Sequence, residues 1–148
     1  MTIELVREIC YKLAADYGFT LNCPIKERHS DMLALGKVGY KEELVRTKHR
    51  AGNWYDVEQK TVIAEISFSS HFLANADEED ILNVVRHELA HAFVFLETGK
   101  RQGHNEKFRA MCLRIGTKLI GSTDDSHILK YKMPFQIFAA SLALEDLI

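Results

Sequence analysis

A chain of 148 residues, 47% hydrophobic and 27% charged, has the size and composition to fold as one domain over residues 1–148 with a proper core. Its net charge of −2 excludes a global basic signature for nucleic acid, and two prolines with eight glycines exclude a long disordered linker. Three cysteines, Cys10, Cys23 and Cys112, form no CxxC pair, so neither a disulfide framework nor a C-terminal zinc ribbon is expected.

The first element is a helix. Ile3, Val6, Cys10, Leu13, Ala14 and Tyr17 recur at helical spacing, Glu4, Arg7, Glu8 and Lys12 face away, and Gly18 is its stop. With those charges the N-terminus holds no signal-peptide core, and Ala92 to Leu96, the longest apolar run, cannot span a bilayer. A reducing, cytoplasmic setting is expected. Leu21–Lys26 and Met32–Val38 read as short strands, punctuated by Pro24 and Gly36. Lys41–Arg50 is polar and basic, and its pattern selects neither helix nor loop.

Ala51-Gly52-Asn53 reads as a turn, and Trp54–Val57 and Thr61–Phe68 as strands joined across Glu58-Gln59-Lys60. Val62, Ala64, Ile66 and Phe68 share one face, with Ile63 out of phase. Asn75 or Asp77 can cap the next helix, whose first turn carries Glu78, Glu79 and Asp80 at the positive end of its dipole. Apolar residues from Ile81 to Leu96 cover most of that helix, leaving a polar stripe of Glu79, Asn83, Arg86 and Glu97, as expected for a central, largely buried helix ended by Gly99. Asn105 can cap a third helix with the stripe Phe108, Met111, Cys112, Ile115 and Leu119, weakened or ended by Gly116 and Gly121. Beyond Asp124, Ile128–Ala139 is apolar enough for a strand and Ser141–Ile148 suits a short helix.

The central helix carries H-E-x-x-H as His87, Glu88 and His91. At 100° per residue the histidines lie about 40° apart, one turn above the other, so both imidazoles reach one metal ion. Glu88 borders the same face, where a carboxylate can take a proton from water without being a ligand. With 7 histidines and 13 glutamates in the chain, chance supplies only about 0.03 such matches. A catalytic zinc takes three protein ligands and an open position. The metzincin pattern fails, because Val94 and Glu97 stand where it needs Gly and His. His104, just before the third helix, is the best-placed third ligand, and Glu106 is its competitor.

From His87 to Ile115 the chain resembles the SprT-like, or Spartan-type, zinc metalloprotease family. There the H-E-x-x-H helix is followed by a glycine, the third histidine ligand and a phenylalanine four positions on. Gly103, His104 and Phe108 match, as do Met111 and Arg114-Ile115. Upstream, Arg50-Ala51-Gly52 with Trp54, and Ile66-Ser67-Phe68-Ser69, look similar too, so the likeness spans about residues 50–116. The family usually has Gly where Asn105 stands. The resemblance implies an α+β fold: a small zincin-like single domain, its H-E-x-x-H helix packed with two or more helices against a small β-sheet. It implies Zn2+ held by His87, His91 and His104, Glu88 as general base, and endopeptidase action on DNA-bound or DNA-crosslinked proteins.

Charge adds to this. Lys26 to Arg50 holds seven Lys/Arg against four Asp/Glu, and Lys100 to Lys118 six against one, while Asp56 to Asp80 is acidic. Lys48, Arg50, Lys100 and Arg101 are therefore candidate phosphate contacts, with Trp54 to stack on exposed bases of single-stranded or distorted DNA. Two other readings stand beside this one: a small regulatory zinc protease acting on one partner without DNA, and a zinc-stabilised nucleic-acid-binding module without hydrolysis. The strand Thr61–Phe68 is expected to pair with extended substrate.

Overall fold

The structure, a computed structural model, describes residues 1–29, 34–48, 52 and 55–119. The readings for Arg50, Trp54, most of the 51–53 turn and everything after Leu119 lie outside these. The fold is α+β: a three-stranded mixed sheet with four helices among the described residues.

Helix α1 spans Ile3–Asp16, and Thr2 Oγ1 accepts from the Leu5 amide as its N-cap. Ile3, Val6, Cys10 and Ala14 are buried, as the periodicity requires. Arg7 and Tyr11 face the other way but donate to the carbonyls of Ile25 (2.8 Å) and Cys23 (3.2 Å), tying the helix to the first strand and its lead-in. Phe19, just past the helix, stacks on Phe93 at 4.4 Å between centroids.

The strands are β1 (Ile25–Arg28), β2 (Gly36–Lys48) and β3 (Tyr55–Ser69), in the order β1-β3-β2. β1 begins later than expected. Lys41–Lys48, unreadable in the sequence, continues β2. Glu58-Gln59-Lys60 is no connector: β3 runs through it, paired antiparallel to β2 from Gly36↔Phe68 to Lys48↔Tyr55. That triplet contains no glycine, proline or asparagine to turn the chain. Its polarity reflects a ribbon whose residues 41–47 and 56–60 are solvent-exposed on both faces.

A register shift between Gly39 and Tyr40 leaves Ala64 as an extra residue in β3. The bulge explains the out-of-phase Ile63. It pairs with Tyr40 and joins Ile66 and Phe68 on the core side. β3 is also the central strand, with β1 parallel to it over Ile66–Ser69 and β2 along its length. Among the described residues, 66–68 of the strand expected to pair with substrate are flanked by both β1 and β2, whereas 61–65 pair with β2 alone, and the strand residue that meets Glu88 of the H-E-x-x-H helix is Gly36 of β2.

A short helix α2 (Ser70–Asn75), not foreseen, follows β3 and is capped by Ser69. Asn75 belongs to α2, and Asp77 is the N-cap residue of α3 (Glu78–Thr98). Gly99 ends α3 with φ of 73°, a left-handed conformation that glycine adopts without a Cβ clash. α4 (Glu106–Ile115) is capped by Asn105, whose Oδ1 accepts from the Phe108 amide at 3.1 Å, and closes at Gly116. α3 is buried along most of its length between α1, α4 and the sheet, though Leu96 is exposed.

Candidate metal centre

His87 and His91 sit one turn apart on α3, with ring centroids 5.0 Å apart. His104 comes from the connector after α3, its ring 5.1 Å from His87 and 5.0 Å from His91. One ring nitrogen from each of the three lies within 4.8 Å of the others. His91 Nε2 and His104 Nε2 approach to 3.2 Å. Two imidazole nitrogens at a tetrahedral angle on an ion with bonds of about 2.0–2.1 Å lie about 3.3 Å apart, so the donor set fits a metal ion. Among the described residues this is the cluster of metal-ligating side chains that the fold assembles. Glu106 lies exposed on the first turn of α4, outside it.

The rings are aimed by their outer hydrogen bonds. His87 Nδ1 donates to the Leu119 carbonyl at 2.8 Å, which leaves Nε2 for a metal. That carbonyl is placed by the polar stripe of α3: Asn83 accepts from the Thr117 hydroxyl (2.9 Å) through its backbone oxygen and from the Lys118 amide (3.2 Å) through Oδ1. The Gln102 carbonyl accepts from the His91 ring in the same way. Phe108, fully buried, lies against all three imidazoles, stacked on His91 at 4.1 Å and 5.0 and 4.9 Å from His87 and His104. One α4 side chain is thus the floor of the cluster, a physical reason for a phenylalanine four residues after His104.

Burial lowers the pKa of all three histidines below 6.5, that of His91 to about 4 with added repulsion from His87 and His104. For His87, burial outweighs the opposing Leu119 hydrogen bond. At neutral pH the imidazoles are uncharged, the form that binds metal.

Glu88 is buried beside the cluster and rests against the backbone of Gly36, at the start of β2. A Cβ at Gly36 would lie 2.7 Å from Glu88 Cγ and 3.2 Å from Oε1, so only glycine leaves this carboxylate its place. Arg28 is near enough for the Glu88 charge to raise its pKa, against a larger lowering by burial. Its guanidinium donates to Ser67 Oγ at 3.1 Å and to the Ala34 carbonyl, bracing the lead-in to Gly36.

Tyr40 marks the rim. Its ring meets Phe95 edge-on at 5.1 Å, and the Arg101 guanidinium covers it at 4.4 Å. Burial raises its pKa; Arg101 lowers it and Glu88 raises it further, so the phenol lies within the field of both. Sequence reading missed Gly36, Arg28 and Tyr40; the alternation of β2 that would have singled out Tyr40 is masked by its exposed distal half, and nothing local marks Arg28, at the end of the four-residue β1. Among the basic candidates, Lys100 and Arg101 are exposed at the end of α3. The backbone of Lys48 lies eight residues along β2 from Tyr40, the residue that Arg101 covers, roughly 26 Å at strand rise.

A family model described as the SprT-like family matches residues 24–129. No curated protein and no solved structure gives a significant match. No helix among the described residues is long and apolar enough to cross a membrane.

Proposed function

The chain belongs to the SprT-like family, and from that premise we propose that it is an intracellular zinc-dependent endopeptidase acting on proteins bound or crosslinked to DNA. The observation that carries the reading is three neutral, oriented imidazoles with a buried carboxylate on the next residue. His87, His91 and His104 would hold the zinc. Bound there, zinc polarises a peptide carbonyl and acidifies water. Glu88 takes the proton of the attacking water and returns it to the leaving amine as the C–N bond breaks. The edge of β2 near Gly36 lies beside Glu88 and offers backbone groups to an extended peptide.

The DNA part of the reading rests on the family and on Lys48, Arg50, Trp54, Lys100 and Arg101. The backbone separation of Lys48 from Tyr40, which Arg101 covers, and the net charge of −2 favour a second reading, a regulatory protease acting on one partner without DNA. A non-catalytic zinc module is the weakest of the three, since a structural site has no use for a buried carboxylate seated on a glycine.

The deciding experiment is cleavage of a DNA-bound protein with and without zinc, and with and without single-stranded DNA. Zinc-dependent cleavage stimulated by DNA supports the proposal. Zinc-dependent cleavage indifferent to DNA selects the regulatory protease, and no cleavage of any protein substrate overturns the peptidase reading.

A further inference from the structure

Among the described residues β2 is an outer strand of the sheet, and it runs 13 residues, far past the part that packs on α3. Its residues 41–47 are exposed, with Leu44 at 72% and Val45 at 38%. A long, exposed outer strand carrying apolar side chains is a template for another strand. What it can pair with is set by its charges.

We propose that residues 40–48 of β2 pair antiparallel with the same segment of a second copy of this chain, about a two-fold axis through Leu44. The geometry restricts the choice. A two-fold axis that continues the sheet keeps each face on its own side, so a residue meets only partners of like face. Axes through Lys41, Glu42, Glu43 or Arg46 set like charges directly opposite, and one through Thr47 sets Arg46 against Lys48. Through Leu44 no like charges meet. Leu44 faces Leu44 of the second copy, and Glu42 faces Arg46 on both sides of the axis. An axis through Val45 also avoids like charges, but it sets Leu44 against Arg46 and leaves the most exposed apolar residue of the strand without an apolar partner. Glu42 is already oriented on this face, accepting from Thr61 Oγ1 at 2.6 Å.

A nine-residue edge contact is small beside the roughly 1,200–2,000 Å² of stable interfaces, so the dimer is weak and concentration-dependent. The pairing ends at Tyr40, which carries Arg101 at the rim of the histidine cluster, so residues 36–39 lie outside it. The inference does not depend on the peptidase reading.

The test is sedimentation velocity of the full zinc-loaded chain over a wide concentration range. Wild type is expected to show a monomer–dimer equilibrium. Leu44→Lys, which opposes two ammonium groups on the axis, and Glu42→Arg alone should each weaken it by roughly tenfold or more. The double variant Glu42→Arg/Arg46→Glu restores the opposite-charge pairs and should restore the dimer. These positions are exposed, and circular dichroism with bound zinc confirms that each variant folds. A wild type monomeric at every concentration overturns the proposal, as does a dimer indifferent to Leu44→Lys. Failure of the double variant to recover excludes the Leu44 axis and overturns it equally.

Discussion

Glu88 is seated on Gly36: a methyl group at Gly36 would stand 2.7 Å from the Glu88 Cγ, closer than two carbon atoms approach without movement. The carboxylate of the H-E-x-x-H helix is therefore held from outside the helix, by the first residue of β2.

Gly36→Ala should displace Glu88 while leaving the three histidines in place. A displacement of about 1 Å at a reacting group costs on the order of a hundredfold in rate. The expected outcome is unchanged zinc content with kcat lowered about tenfold to a hundredfold. An alanine variant as active as wild type would show that the contact is relaxed at no cost.

Glu88→Gln should keep fold and zinc but lose proteolysis by about 10²–10⁴-fold, because an amide cannot accept the proton. Zinc analysis and a peptide cleavage assay on the same preparation check it. Wild-type rates in the Gln variant would sink the assignment of the base.

His104→Ala should lower zinc affinity sharply, since its Nε2 lies 3.2 Å from that of His91. Glu106→Ala should leave affinity unchanged, because Glu106 lies outside the cluster. Competition with a chelator measures both. The reverse pattern would make Glu106 the ligand.

Acid should destabilise the metal-free chain. Burial lowers the pKa of His87, His91 and His104, so below 6.5 the unfolded chain binds more protons than the folded one. Stability then rises with pH across this window, which for His91 extends from about 4 to 6.5, and it is lost as pH falls through it. Urea unfolding of the metal-free protein at several pH values should show that slope, and His91→Gln should reduce it. An identical slope in the variant would contradict the role of burial at His91.

DNA binding, if the family's substrate class applies, should be weak and salt-sensitive, on the order of non-specific affinity, because only a few phosphate contacts are available. Fluorescence anisotropy with single-stranded DNA measures it. Substituting Lys48 and Arg50 and, separately, Lys100 and Arg101 with Glu should weaken it in independent steps, since the backbone of Lys48 lies eight residues along β2 from Tyr40, which Arg101 covers. Trp54, the single tryptophan of the chain, reports stacking directly by its emission. Absence of binding at low salt selects the regulatory protease.

The sequence by itself determined what short-range geometry determines. His87 and His91 share a face because helical rise and twist put them there, and Glu88 borders that face for the same reason. The buried face of α1, the end of α3 at Gly99 and the Asn105 cap of α4 are likewise local. His104 was legible only beside Glu106 as a rival, until the resemblance favoured it. The ribbon was illegible because a strand exposed on both faces loses its alternation, and the bulge at Ala64 shifts what remains. Only the tertiary structure decided the rest. Packing α4 on α3 brings His104 to the pair and puts Phe108 beneath all three rings. Laying β2 along α3 sets Gly36 under Glu88 and Tyr40 under Arg101. These contacts join residues far apart in the chain, and no periodicity within a segment encodes which distant backbone will stand against a given side chain.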